Sequence, residues 1–227
     1  MMQLLCYICK LFVLHLRQPS LPFRWLISPF GCPSTLLCST LPLLLDGGTT
    51  VHSRFAVPLQ LDDTSTSMLS IHTERAGVLR DAQIIVMDEA TMGHRNVYRV
   101  VDALLRDIMG VMDPALEKVP FGGKVMVLAG DWRQLPPVVR HGSRAATVNA
   151  TLKMSSLWEV FQMLPLTINM RVHLLGRDSA AGQHVQSFAT WLLEVGSGRQ
   201  SHVQCPPGMQ LPFDARETQK HTQQVWT

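Results

Sequence analysis

Two acidic side chains stand side by side at the end of a short apolar run. They are the first residues in this sequence that could do chemistry. The run is Ile84-Ile85-Val86-Met87, and Asp88-Glu89 follows at once. Such a run is predicted to be a strand buried on both faces. In open α/β sheets, ligands bind beyond the carboxyl ends of the strands. A carboxylate pair there could hold Mg²⁺ through Asp88 and polarise, through Glu89, the water that attacks a nucleotide γ-phosphate, the arrangement called Walker B. The same residues are equally compatible with a strand that leaves the core carrying two solvated charges.

Two further stretches carry candidate groups. Gly47-Gly48 supplies a permissive turn, and Thr49, Thr50, His52 and Ser53 after it can all hydrogen-bond phosphates. A plain turn with a capping threonine is the other reading of that stretch. The second is Gly130-Asp131-Trp132-Arg133-Gln134-Leu135-Pro136-Pro137-Val138. Asp131 and Gln134 are expected to share one cleft with Asp88 and Glu89, unless the loop is only a proline-stiffened turn with solvated polar groups.

The elements that must position these groups follow from periodicity. Thr73–Arg80 is predicted to be a short helix with Thr73 as its N-cap, and 82–88 the strand ahead of the carboxylates. A long helix is expected over 90–111, because Val97, Val100, Val101, Leu104, Leu105 and Ile108 fall on one face. Val125–Ala129 is a second buried strand. With the helix between them, the two strands form a βαβ unit whose carboxyl ends lie together. Pro120-Phe121-Gly122-Gly123-Lys124 has no glycine four residues before Gly-Lys and no Ser or Thr after it, so it reads as a turn and not as a phosphate loop. Residues 155–161 read as a short serine-capped helix, 164–170 as a third strand and 185–195 as an amphipathic helix.

Composition bounds the rest. With 227 residues and 46% hydrophobic content, the chain can bury a full core. A net charge of +3 permits a nucleic-acid partner without arguing for one. Four of the five cysteines lie in the first 38 residues, which excludes a disulfide framework for the body. Cys6-x-x-Cys9 lacks a second ligand pair and reads as incidental. Residues 1–40 are apolar and Pro/Ser-rich without period. They read as a segment foreign to the fold, such as a misjoined exon or translated intron, or else as a targeting segment; they are too interrupted to span a membrane. The body is expected over 41–200, and 201–227 as a flexible tail.

Taken together, Gly47–Phe55, Ile84–Ala90, Phe121–Lys124, Gly130–Val138 and Leu166-Thr167-Ile168-Asn169-Met170-Arg171 resemble a PIF-one-type DNA helicase of superfamily 1B, especially its Helitron-transposon branch. The resemblance covers about residues 43–198. It implies an α/β, RecA-like P-loop NTPase core with a parallel sheet, and an ATP-dependent 5′-to-3′ DNA helicase at family level, serving DNA repair or recombination. It also implies Mg²⁺ and ATP, single-stranded or forked DNA as partner, no stable membrane association, and a nuclear or mitochondrial location. Residue by residue, Asp88 would hold the metal and, with Asp131, contact the nucleotide, and Glu89 would be the catalytic base. Gln134 would sense the γ-phosphate, and Arg171 would reach it across the cleft. Thr50, His52 and Ser53 would contact single-stranded DNA through phosphates, whereas Phe55 suits the core.

One departure bears on activity. Family members carry a Gly-rich loop ending in Gly-Lys-Thr ahead of the Gly47 position, and residues 1–46 contain none: Lys10 is the one lysine there and Gly31 the one glycine. The fold is therefore expected to be incomplete, lacking its first strand, its phosphate loop and the second RecA-like domain, with little activity. The alternatives are a non-enzymatic remnant that keeps weak DNA or partner binding, and a RecA-like ATPase that does not act on DNA.

Overall fold

The computed structural model describes residues 10–14, 35–38, 49–170, 173 and 179–197. Its sheet has five strands: β1 (Lys10–Leu14), β2 (Thr35–Cys38), β3 (Ile84–Met87), β4 (Val125–Gly130) and β5 (Gln162–Pro165), in the spatial order β2-β3-β4-β1-β5. β2, β3 and β4 run parallel, so the expected parallel sheet holds over these three. β1 runs against both its neighbours, with Lys10 opposite Gly130 on one side and Pro165 on the other. A reversed strand thus fills the slot between two strands that share a direction.

Helices α1 (Val51–Phe55), α2 (Glu74–Asp81), α3 (Arg95–Gly110), α4 (Arg144–Ala150) and α5 (Ala180–Gly196) complete the described chain. Thr73 caps α2 as its sequence predicts, its side chain accepting from the Ala76 amide. The α3 stripe also forms as read: Val100, Val101, Leu105 and Ile108 are fully buried against Ile85, Met87, Met126 and Leu128 of the central strands. Phe55 is fully buried in the same core.

The predicted 90–111 helix is two elements. Ala90–Met92 is a single 3₁₀ turn, the chain extends at Gly93 and His94, and α3 then begins at Arg95. The break has a local cause. A side chain at Gly93 would collide with the Tyr98 hydroxyl, and that hydroxyl donates to the Ala90 carbonyl at 2.5 Å. The third strand is also earlier than predicted, at 162–165 in place of 164–170. Its pairing with β1 ends at Pro165, and Leu166, Thr167 and Ile168 are exposed.

The Phe121-Gly122-Gly123 stretch is the turn its sequence suggests. Phe121 and Gly122 both take positive φ, and a Cβ on Gly122 would press into the Leu105 carbonyl of α3. The buried Asp102 carboxylate holds that turn, accepting from the Phe121 amide at 2.5 Å and from Arg106 Nε at 2.8 Å. This clamp ties α3 to the entry of β4.

Candidate functional site

β3 delivers Asp88 and Glu89 at its carboxyl end, and β4 delivers Asp131 at the same edge of the sheet. Asp88 folds back locally, its Oδ1 accepting from the Glu89 amide at 2.9 Å. Glu89 has φ +53°, ψ 37°, the left-handed region that a non-glycine residue enters only when its surroundings hold it there. Tyr98 and Thr91 do so from the next residues along: Tyr98 fixes the Ala90 carbonyl, and the Thr91 hydroxyl donates to the Asp131 carbonyl at 3.2 Å. The Glu89 carboxyl is thereby turned inward. Its Oε2 is buried and has no hydrogen-bond partner among the described residues.

Burial, followed by repulsion from Asp88 and Asp131, pushes the Glu89 carboxyl above its ordinary range. That places Asp131 close enough to Glu89 to be felt electrostatically. Asp131 itself is well served: its Oδ1 accepts from the Arg133 amide at 3.0 Å and lies 3.9 Å from the Arg133 guanidinium, and its carbonyl also accepts from the Gln134 amide at 3.1 Å.

The predicted phosphate-contacting stretch lies beside this end of β3. Thr50, Val51 and His52 line a cavity of about 180 Å³ together with Asp88, Glu89 and Tyr98. Both readings of Thr50 are compatible with what is seen, since its hydroxyl caps α1 by accepting from the Ser53 amide at 3.1 Å. His52 and Ser53 are exposed, and Arg75 donates to the Ser53 carbonyl.

Gln134 does not line that cavity. It borders a larger one, of about 300 Å³, whose wall also holds Thr91, Trp132, Leu135, Arg144 and Lys153. The cleft expected to unite Asp88, Glu89, Asp131 and Gln134 is thus divided, with Thr91 and Asp131 at the divide. Arg171 lies outside the described residues, as do Gly47 and Gly48. Among the described residues no group of three or more His, Cys, Asp or Glu could hold a metal by itself, and no helix is long and apolar enough to cross a membrane.

Sequence reasoning missed Thr91, His94 and Tyr98. His94 N-caps α3, its Nδ1 accepting from the Asn96 amide at 3.1 Å. That geometry needs a neutral imidazole, and burial and neighbouring Arg95 both hold its pKa down. Gly93 was the available signal. A glycine inside an otherwise helical pattern marks a break, and His94 then falls where a cap belongs.

The fold has known counterparts. A family model described as PIF1-like helicase matches residues 37–205. The ATP-dependent DNA helicase PIF7 of Trypanosoma brucei brucei is 31% identical over 132 residues, which are 55% of this chain and 13% of that protein. The ATP-dependent DNA helicase Pif1 of Bdellovibrio bacteriovorus is 29% identical over 133 residues, 57% of this chain and 28% of that one. The chain thus spans under a third of either relative's length. Among solved structures, Pif1 of a Bacteroides species in complex with ADP-AlF4 superposes with a TM-score of 0.55 at 20% identity, over 78% of this chain and 39% of that one. Pif1 from Candida albicans gives 0.51 at 18%, over 78% and 40%. These likenesses establish the RecA-like α/β fold, present here as part of a domain.

Proposed function

The chain belongs to the PIF1-like helicase family, and on that premise we propose that it carries the metal-and-base half of an ATP-dependent, 5′-to-3′ DNA helicase site. In this reading Asp88 and Glu89 are a Walker B pair. Both curated relatives are ATP-dependent DNA helicases, which supports ATP as the nucleotide and DNA as the partner. The observation that carries the reading is Glu89. It is a carboxylate held in a strained backbone, half-desolvated, beside two other acids, with a buried oxygen that has no hydrogen-bond partner among the described residues. Perturbed, under-satisfied acids of this kind gather at catalytic sites.

The residues present fit Mg²⁺ on the terms that ion usually accepts. It takes one or two carboxylates together with substrate phosphates and water, and Asp88 supplies the first. When bound, the metal would neutralise charge on the β- and γ-phosphates. Glu89, with its raised pKa, orients the attacking water and accepts its proton. Gln134, which lines the adjoining cavity, would read the γ-phosphate by reaching past Thr91, and Asp131 holds the β4 end in place through its own hydrogen bonds. Arg171 is proposed as the cation that approaches the phosphate. Thr50, His52 and Ser53 hold phosphates of a single or forked strand. A nuclear or mitochondrial location belongs to the same proposal.

These 227 residues contain no Gly-Lys-Thr loop to cradle the phosphates, so the chain by itself is expected to hydrolyse ATP at or near background, with or without single-stranded DNA. A Mg²⁺-dependent, DNA-stimulated ATPase signal that Glu89→Gln abolishes would overturn that expectation. Strand binding is measured separately by filter retention of a labelled single strand at rising salt. A helicase fragment shows affinity that falls steeply with salt, and the absence of any such binding would favour an ATPase that does not act on DNA.

A further inference from the structure

Arg133 is held by two elements at once. It lies in the loop after β4, and its guanidinium Nη1 is 3.9 Å from Asp131 Oδ1. Its amide donates to the same oxygen at 3.0 Å. On its other side, Nε donates at 3.3 Å to the hydroxyl of Ser197, the residue that closes α5. Gly196 brings the helix backbone against the arginine stem: a Cβ there would lie 3.3 Å from Arg133 Cδ and 3.4 Å from Arg133 Cβ. A cation beside the carboxyl end of a helix is also favoured by the helix dipole. Among the described residues, the buried core around α3 includes nothing from α5. The contact with Arg133 therefore joins the end of this helix to the candidate site from outside that core.

A guanidinium suits a tie of this kind. Its donors are fixed in one planar fork, so Nη1 and Nε face different partners and cannot move independently. When the loop at 131–134 shifts, Arg133 either carries the end of α5 with it or gives up Ser197. We infer that Arg133 ties the loop after β4 to the end of α5, so that each segment sets the local stability of the other. Gln134 is the next residue in that loop, and its amide donates to the Asp131 carbonyl at 3.1 Å. In the helicase reading Gln134 follows the γ-phosphate. On that reading, and for this step alone, α5 is the element that the loop moves when the phosphate leaves.

The test is amide hydrogen exchange on the full chain, without nucleotide or DNA. Three amides report: those of Arg133 and Gln134 for the loop, and that of Ser197, which donates to the Leu193 carbonyl at 3.0 Å, for the helix end. Ser197→Ala is expected to speed exchange at Arg133 and Gln134 several-fold, although the two sites are 64 residues apart. Arg133→Ala is expected to speed exchange at Ser197 by a similar factor. Arg133→Lys keeps the charge but lacks the fork, so it should behave as Arg133→Ala does. The double variant should exchange no faster at any of the three amides than the faster single one, because both substitutions break the same tie. Unchanged exchange at Arg133 and Gln134 in Ser197→Ala overturns the inference, and so do effects that add in the double variant. A rise spread through β3 and β4 overturns it as well, since Arg133 would then support the whole sheet. These measurements involve no phosphate, so failure of the helicase reading leaves the tie standing. Loss of the tie in turn leaves the reading of Asp88 and Glu89 untouched.

Discussion

β3 and β4 pair in parallel and end at the same edge of one sheet, and they end differently. The β4 end is satisfied. Asp131 has a backbone amide and a guanidinium on its carboxylate, and a hydroxyl and an amide on its carbonyl. The β3 end is left in deficit, with Glu89 in a left-handed backbone, its carboxyl partly desolvated and one oxygen without a hydrogen-bond partner among the described residues. Asp131 Oδ1 already has an amide and a guanidinium beside it, so the unsatisfied end is where the proposed reactive group sits. The satisfied end serves as its abutment. Strain at one residue persists because neighbours over-determine it, and here the neighbours are Thr91 and Tyr98.

Three measurements can break or sharpen this contrast. The largest effect is expected from Gly130→Ala, where the two ends touch. A Cβ there would lie 2.8 Å from Thr91 Cγ2 and 3.0 Å from the Thr91 amide, and overpacking of this kind costs about 1–3 kcal/mol. A denaturant midpoint unchanged from the parent would mean that the ends are not locked together. Next is Tyr98→Phe, which removes the 2.5 Å bond to the buried Ala90 carbonyl. A loss of about 1 kcal/mol is expected, with faster amide exchange confined to 88–93; uniform change across the sheet would show that Tyr98 does not act on this turn. The smallest is Glu89→Gln. A raised carboxyl pKa in the folded state contributes stability that is fully present below the unfolded value and lost as pH rises through the folded one. The glutamine variant should therefore be slightly more stable than the parent at neutral pH, by less than about 1 kcal/mol given the partial exposure, with the gain vanishing in acid. A variant less stable than its parent at pH 7 would contradict the deficit at β3.

Much of this was legible in the sequence because burial leaves a periodic trace. The strands at 84–87 and 125–130, the α3 stripe and the Thr73 cap all form where the residues point. What escaped were features set by contact and not by period. The break between Ala90 and Arg95 depends on Tyr98 reaching back to a carbonyl, a relation no apolar pattern encodes. The end of β5 at Pro165 depends on its partner β1. The hydrogen bond from Thr91 to the Asp131 carbonyl joins the two strand ends, and a threonine after Asp-Glu-Ala looks like any other. The pair Asp88-Glu89 was visible from the start. Which of the two would be strained, and by what, was not.

The reversed strand β1 also has a consequence in time. Residues 10–14 are made before their partners, Met126–Gly130 and Gln162–Pro165. The parallel β2-β3-β4 unit joins strands that are nearer in sequence, from Thr35 to Gly130. Contacts between segments so distant in sequence form late, because the loop entropy must be spent before any pairing rewards it. During synthesis β1 must therefore wait, unpaired, until β4 has been made. Until then β1 is an unpaired extended segment, available to any other strand edge that arrives first.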